Sequence, residues 1–116
     1  MKLGVLQGRL TAPARGHYQE FPKQWLSEFD TIQKIGLHGI EWLITKDYNF
    51  NNPIYTNFDI IQNLPVTSIC VDTLVDDRVT NKDFLFHSLF GLCDTIKDSR
   101  VNVLTIPILD ESDLND

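Results

Sequence analysis

Four side chains in this sequence have the types and the placement to hold a polar, oxygen-rich substrate. Gln7 and Arg9 close an apolar run at the start of the chain, "MKLGVLQGRL". A second apolar run, "GIEWL", ends its strand in Glu41-Trp42, and a third, "SICVD", ends in Asp72. An amide donates and accepts hydrogen bonds, a guanidinium only donates, and a carboxylate only accepts. Gathered at one end of a sheet, these groups form a polar cluster suited to hydroxyl-rich or carbonyl-bearing substrates. Ser68 and Cys70 share the face of Asp72 by strand alternation, and a fourth run ends in Thr105 and Pro107. Gln7 and Arg9 share a face as well, provided that Gly8 does not bulge.

Plainer roles compete for each residue. Arg9 can serve only as a structural ion pair with Glu41 or Asp72. Glu41 can be solvated, and Asp72 can be a loop or cap residue. Trp42 reads as packing beneath a helix rather than stacking on a ligand. Cys70 and Cys93 read as small buried hydrophobes rather than nucleophiles. His38 falls in a helix-to-strand turn, His87 on a helix, and His17 in the long first loop "TAPARGHYQEFP", facing solvent. None of the three histidines is assigned as a ligand.

The elements that position these groups follow from apolar spacing. Strands are expected over residues 2–6, 39–43, 66–71 and 101–106. Between the first two, Trp25, Phe29, Ile32 and Ile35 recur at helical spacing, and Gly36 stands where a left-handed C-terminal residue is wanted. A shorter helix over residues 58–63 starts near Thr56 and ends before Pro65. Leu85, Leu89, Leu92, Cys93 and Ile96 mark a third helix, capped by Asn81 or Asp83. The order β-α-β-α-β-α-β implies parallel strands with crossover helices. An open doubly wound sheet and part of a (β/α)8 barrel both satisfy it. Both place ligands at the C-terminal ends of the strands.

Composition narrows the function. The chain has 116 residues, enough for a single domain over 1–116, with 42% apolar residues. Its formal net charge is -6, and the last seven residues, "DESDLND", contribute four acids. That balance argues against nucleic acid or an anionic membrane as partner, since phosphate binding wants a basic footprint. The two cysteines show no disulfide or zinc spacing, and no run approaches the ~20 apolar residues of a spanning helix. The N-terminus lacks a signal-peptide pattern, so a cytoplasmic protein is expected. There is no G-x-G-x-x-G, P-loop, G-x-S-x-G or H-E-x-x-H motif.

The segments "KLGVLQGRL", "QEFP", W-x-x-EF, "IGLHGIEWL", "NP" and "SICVD", in this order, resemble the N-terminal part of sugar phosphate isomerase/epimerase-like proteins. These belong to the xylose isomerase-like TIM barrels, akin also to the endonuclease IV group. The resemblance runs from Met1 to about Pro107, and "QGR" and G-I-E-W are its most specific pieces. It implies an α/β fold, the N-terminal half of a (β/α)8 TIM barrel. It also implies isomerisation or epimerisation of a sugar or sugar phosphate. A carboxylate takes a proton next to a carbonyl, and a divalent metal such as Mn, Mg, Co or Zn stabilises the enediolate. Glu41 would be the catalytic carboxylate, and Gln7, Arg9 and Asp72 would bind substrate.

A full barrel needs roughly 250 residues. The family's metal ligands and its better understood catalytic carboxylates lie mainly on later strands, so no metal ligand is assigned here. Four units alone are expected to be inactive and to expose strand edges that favour a homo-oligomer. A non-catalytic sugar- or partner-binding half-barrel, or an inactive remnant, are the alternatives. A DNA-cleaving role of the endonuclease IV kind is disfavoured by the acidic balance.

Overall fold

The computed structural model describes residues 1–12, 21–45, 52–72, 83 and 89–108. Along the chain it runs β1 (Gly4–Leu6), α1 (Trp25–Ile35), β2 (Gly39–Ile44), α2 (Pro53–Thr56), α3 (Phe58–Ile61), β3 (Val66–Val71), α4 (Phe90–Ile96) and β4 (Leu104–Thr105). The strands form one parallel sheet in the order β1-β2-β3-β4. The fold is α/β, as the apolar runs imply. A doubly wound sheet reverses strand order at a switch point; no reversal occurs among these four strands.

The core lies on one face of the sheet. Ile40, Trp42 and Ile44 of β2 and Ile69 and Val71 of β3 point into it. Phe29 and Ile32 of α1, Ile54 of α2, Ile61 of α3, and Leu92 and Ile96 of α4 meet them there. All four helices therefore bury their apolar residues against the same side. Trp42 is the centre of this layer. Its ring is fully buried, with centroids of Phe21, Trp25 and Phe29 at 5.4, 5.5 and 6.5 Å. Trp42 packs beneath a helix, as its sequence setting suggested.

Helix α1 forms because Trp25, Phe29 and Ile32 recur on one face. It stops at Gly36, whose φ of 77° is open to glycine at little cost, and the Leu37 N–H closes the turn on the Ile32 carbonyl at 2.9 Å. His38 then ties this turn to the start of the sheet. Its N–H donates to the Leu3 carbonyl at 2.7 Å, and its Nδ1 accepts from the Leu3 N–H at 3.1 Å.

Several elements differ from expectation. β1 and β4 are shorter than the apolar runs that encode them. The expected helix at 58–63 is present as the shorter α3, and a further short helix, α2, precedes it, beginning at Pro53 where Asn52 caps it by accepting from the Ile54 N–H at 3.1 Å. Ile35 is exposed at the end of α1, while Glu28 is buried on the same helix. On α4, Leu92 and Ile96 face the core but Cys93 is exposed, so Cys93 is not the buried hydrophobe its stripe suggested. Leu85, Asn81, His87 and His17 lie outside the described residues. Among the described residues, no helix is long and apolar enough to cross a membrane.

The opposite face of the sheet carries the polar groups, and a bulge sets its register. Ile40 pairs with Val66, but Glu41 pairs with Ser68, so Thr67 is skipped. The Thr67 hydroxyl donates to the Ile40 carbonyl at 3.3 Å. Without the extra residue, Val66 and Ser68 would point the same way. With it, Val66 faces the core and Ser68 stands beside Glu41 on the other side. Gly39 makes this possible: a Cβ there would lie 2.5 Å from Thr67 Cγ2 and 2.6 Å from the Pro65 carbonyl oxygen.

Candidate functional site

On this second face the register aligns Leu6 with Glu41, Glu41 with Ser68, Leu43 with Cys70, and Cys70 with Thr105. Glu41 is half-buried and forms the hub. Its Oε1 accepts from the Ser68 hydroxyl at 3.0 Å and from the Thr105 hydroxyl at 2.7 Å. One carboxylate is thus held by side chains from the next two strands. Glu41 is the third residue of a six-residue strand rather than its end, because β2 continues to pair through Leu43 and Ile44. The group stands within the sheet's height, below the strand ends.

Cys70 lies next to this hub. Burial pushes its thiol up to about 11, and the negative charges of Glu41 and Asp72 add to the effect. The thiol is therefore protonated across the physiological range, which suits a small packing group and not a nucleophile. Asp72 follows directly on β3 and is half-buried.

Gln7 is fully buried, and its role is partly structural. Its backbone N–H donates to the Glu41 carbonyl at 3.0 Å. The next rung of a parallel ladder would run from the Leu43 N–H to the Gln7 carbonyl. Instead, the Leu43 N–H donates to Gln7 Oε1 at 3.0 Å. The side chain replaces the backbone because the chain turns away at Gly8, where φ is 82°. This turn also breaks the alternation that would put Gln7 and Arg9 on one face. Gln7 Nε2 is buried and meets no partner among the described residues. Arg9 is exposed on the loop that leaves β1.

Two further buried polar residues hold the rim; their segments, W-x-x-EF and "NP", enter the sequence reading only as parts of the resemblance, with no role given to either residue. Glu28 accepts from the Gly8 N–H with both oxygens at 3.0 Å, from the Leu10 N–H at 3.2 Å and from the Thr11 hydroxyl at 3.1 Å. Asn52 accepts from Trp42 Nε1 at 3.0 Å and donates to the Leu43 carbonyl at 3.1 Å, besides capping α2. The available signal for Asn52 was Asn directly before Pro. For Glu28 it was an acid in the first turn of α1, a position more often solvated.

Among the described residues, no group of three or more His, Cys, Asp or Glu side chains could hold a metal ion. A separate groove of about 270 Å³ lies at the other end of the strands, where Phe29, Ile32, Leu37, His38, Leu64 and Pro65 line it. It is remote from the polar face and holds none of the four candidate residues. Set against protein-family models, the curated proteins and the solved structures, the chain finds no match in any of the three.

Proposed function

We propose that the chain forms the first four βα units of a (β/α)8 barrel and carries the substrate side of a sugar or sugar-phosphate isomerase or epimerase site. The barrel reading is supported by the unreversed parallel order and by the helices lying on one face, which leaves a polar inner surface. The functional reading rests on one observation above all. Glu41 stands on that inner surface with its carboxylate oriented by the Ser68 and Thr105 hydroxyls.

In this reading Glu41 takes a proton from the carbon next to a substrate carbonyl. Asp72 accepts from a substrate hydroxyl, Gln7 Nε2 donates to a substrate oxygen, and Arg9 meets an anionic oxygen such as a phosphate. The resemblance also implies a divalent metal, but the described residues do not fit one, and no step is routed through it. Free Cys70 and Cys93 are in keeping with a cytoplasmic setting. Among the described residues β1 and β4 are the outer strands of the sheet, and their outer edges suit pairing with a second copy or with further βα units.

One observation favours a second reading, a non-catalytic sugar-binding surface: Glu41 is the third of six residues in β2, set back from the strand end. Titration calorimetry against a panel of aldoses, ketoses and their phosphates tests both. Binding that weakens at least tenfold in Glu41→Gln and Arg9→Ala supports a sugar site. Deuterium uptake at the carbon beside the carbonyl in D2O then marks the enzyme, and binding without uptake marks the binder. No binding by any member of the panel refutes the site.

A further inference from the structure

We propose that Glu28 is the positioning residue of this site, fixing the turn that presents Arg9. The inference rests on reading Arg9 as a contact to an anionic ligand oxygen. Glu28 is fully buried, and a buried carboxylate is costly unless its acceptor capacity is filled. Here the partners come from the β1–α1 loop. The Gly8 N–H bridges both carboxylate oxygens, and the Leu10 N–H and the Thr11 hydroxyl both meet Oε1.

The residues on either side of Arg9 are therefore both tied by their backbone to one rigid side chain. Glu28 itself is carried on α1, between Trp25 and Phe29, whose rings pack on Trp42. On the other side of Gly8, Gln7 is fixed by its Oε1 to Leu43 and by its N–H to Glu41. Arg9 leaves the sheet between two buried anchors, each set in the core layer or the ladder. A guanidinium recognises an oxyanion through a directional fork, and small displacements weaken it. Holding residues 8 and 10 fixes the Arg9 Cα and the direction in which its side chain departs.

The same geometry says what this loop does not do. Two N–H groups and a hydroxyl converge as they do in an anion-binding turn, but the chain's own Glu28 fills the position. A ligand anion is met by the Arg9 side chain, not by this backbone.

The test uses Glu28→Gln, which preserves shape and one carbonyl acceptor, in the 15N-labelled chain, with inorganic phosphate as the probe. Amide exchange is read first. The Gly8 and Leu10 amides are expected to be protected in the wild type and to lose at least tenfold of that protection in Glu28→Gln. Amides of Ile40, Trp42 and Ile69 are expected to keep theirs. Absent protection in the wild type, or a loss spread evenly over the sheet, overturns the positioning role. Phosphate titration is read second, at the Arg9 resonances. The wild type is expected to saturate, and Glu28→Gln to need about tenfold more phosphate with the Trp42 Nε1 resonance unmoved. An unchanged midpoint overturns the positioning of Arg9 alone. No phosphate-dependent shift at Arg9 in the wild type overturns the ligand reading of Arg9, and the role of Glu28 with it.

Discussion

Gly39→Ala gives the sharpest test of how the polar face is assembled. A Cβ at this position would stand 2.5 Å from Thr67 Cγ2 and 2.6 Å from the Pro65 carbonyl oxygen. Carbon atoms prefer about 3.5–4.0 Å, so the first contact is short by about 1 Å. Thr67 can yield only by leaving its bond to the Ile40 carbonyl. The Pro65 oxygen is backbone and accepts from the Ile40 N–H at 2.9 Å, so it cannot retreat without weakening that bond. Overpacking costs about 1–3 kcal/mol, and a weakened backbone bond adds about 1 kcal/mol.

The expected loss is therefore about 2–4 kcal/mol. It is large against the roughly 6–17 kcal/mol implied for this length by about 0.05–0.15 kcal/mol per residue. Urea unfolding followed by tryptophan fluorescence suits the measurement, because Trp25 and Trp42 sit in one aromatic cluster. At a slope near 2 kcal/mol/M the midpoint should fall by about 1–2 M. Adding Thr67→Ser removes Cγ2 but not the Pro65 clash, so the double variant should recover part of the loss and not all of it. Gly91→Ala on α4 is the control: nothing lies within 4 Å of its added Cβ, and a gain of up to about 1 kcal/mol is expected. A Gly39→Ala midpoint within experimental error of wild type refutes the close approach, and with it the bulge that sets Ser68 beside Glu41.

Asn52→Ala should cost about 2–4 kcal/mol in the same unfolding assay, since it removes a helix cap and leaves the Trp42 Nε1–H and the Leu43 carbonyl without their partner; a loss under about 1 kcal/mol would deny the bridge. At pH 8, Cys93 should react with iodoacetamide well before Cys70, because Cys93 is exposed and the Cys70 thiol is held neutral. Mass spectrometry of the peptides decides this, and equal rates would contradict the placement of Cys70. Because the folded Cys70 thiol titrates near 11 instead of the ordinary 9.0, its contribution to stability is complete below about pH 9. It is lost as pH rises from there through 11. Cys70→Ser should therefore show a shallower alkaline fall in unfolding midpoint than the wild type, and identical slopes would refute the shift.

Much of the scaffold could be read from local pattern, because local pattern decides it. Apolar runs separated by helical spacing predict β2, β3 and α1, and Gly36 predicts the end of α1. Trp42 reads as a core residue because a bulky ring in an apolar strand gains most by burial. The misses have a common cause, which is dependence on partners distant in sequence. Glu28 looks like a surface acid until the loop 17 to 20 residues earlier folds onto it. Gln7 looks like an ordinary polar residue at a strand end, and only the turn at Gly8 reveals that its Oε1 also takes over a ladder bond 36 residues away. Thr67 is an ordinary strand residue by alternation, and only the pairing with β2 reveals the bulge. Glu41 read as a strand-end residue because where β2 stops depends on its pairing with β3, and not on its own composition.

The polar face of the sheet is the proposed binding site, and chemical-shift mapping locates a ligand on it directly. The 15N-labelled chain would be titrated with a ketose phosphate and an aldose phosphate. A ligand seated on this face is expected to shift the amides of Glu41, Ser68, Cys70, Thr105 and Arg9, and to lose those shifts in Glu41→Gln. Shifts confined to Phe29, Leu37 and Leu64, around the groove at the other end of the strands, would contradict it, as would no shifts at all.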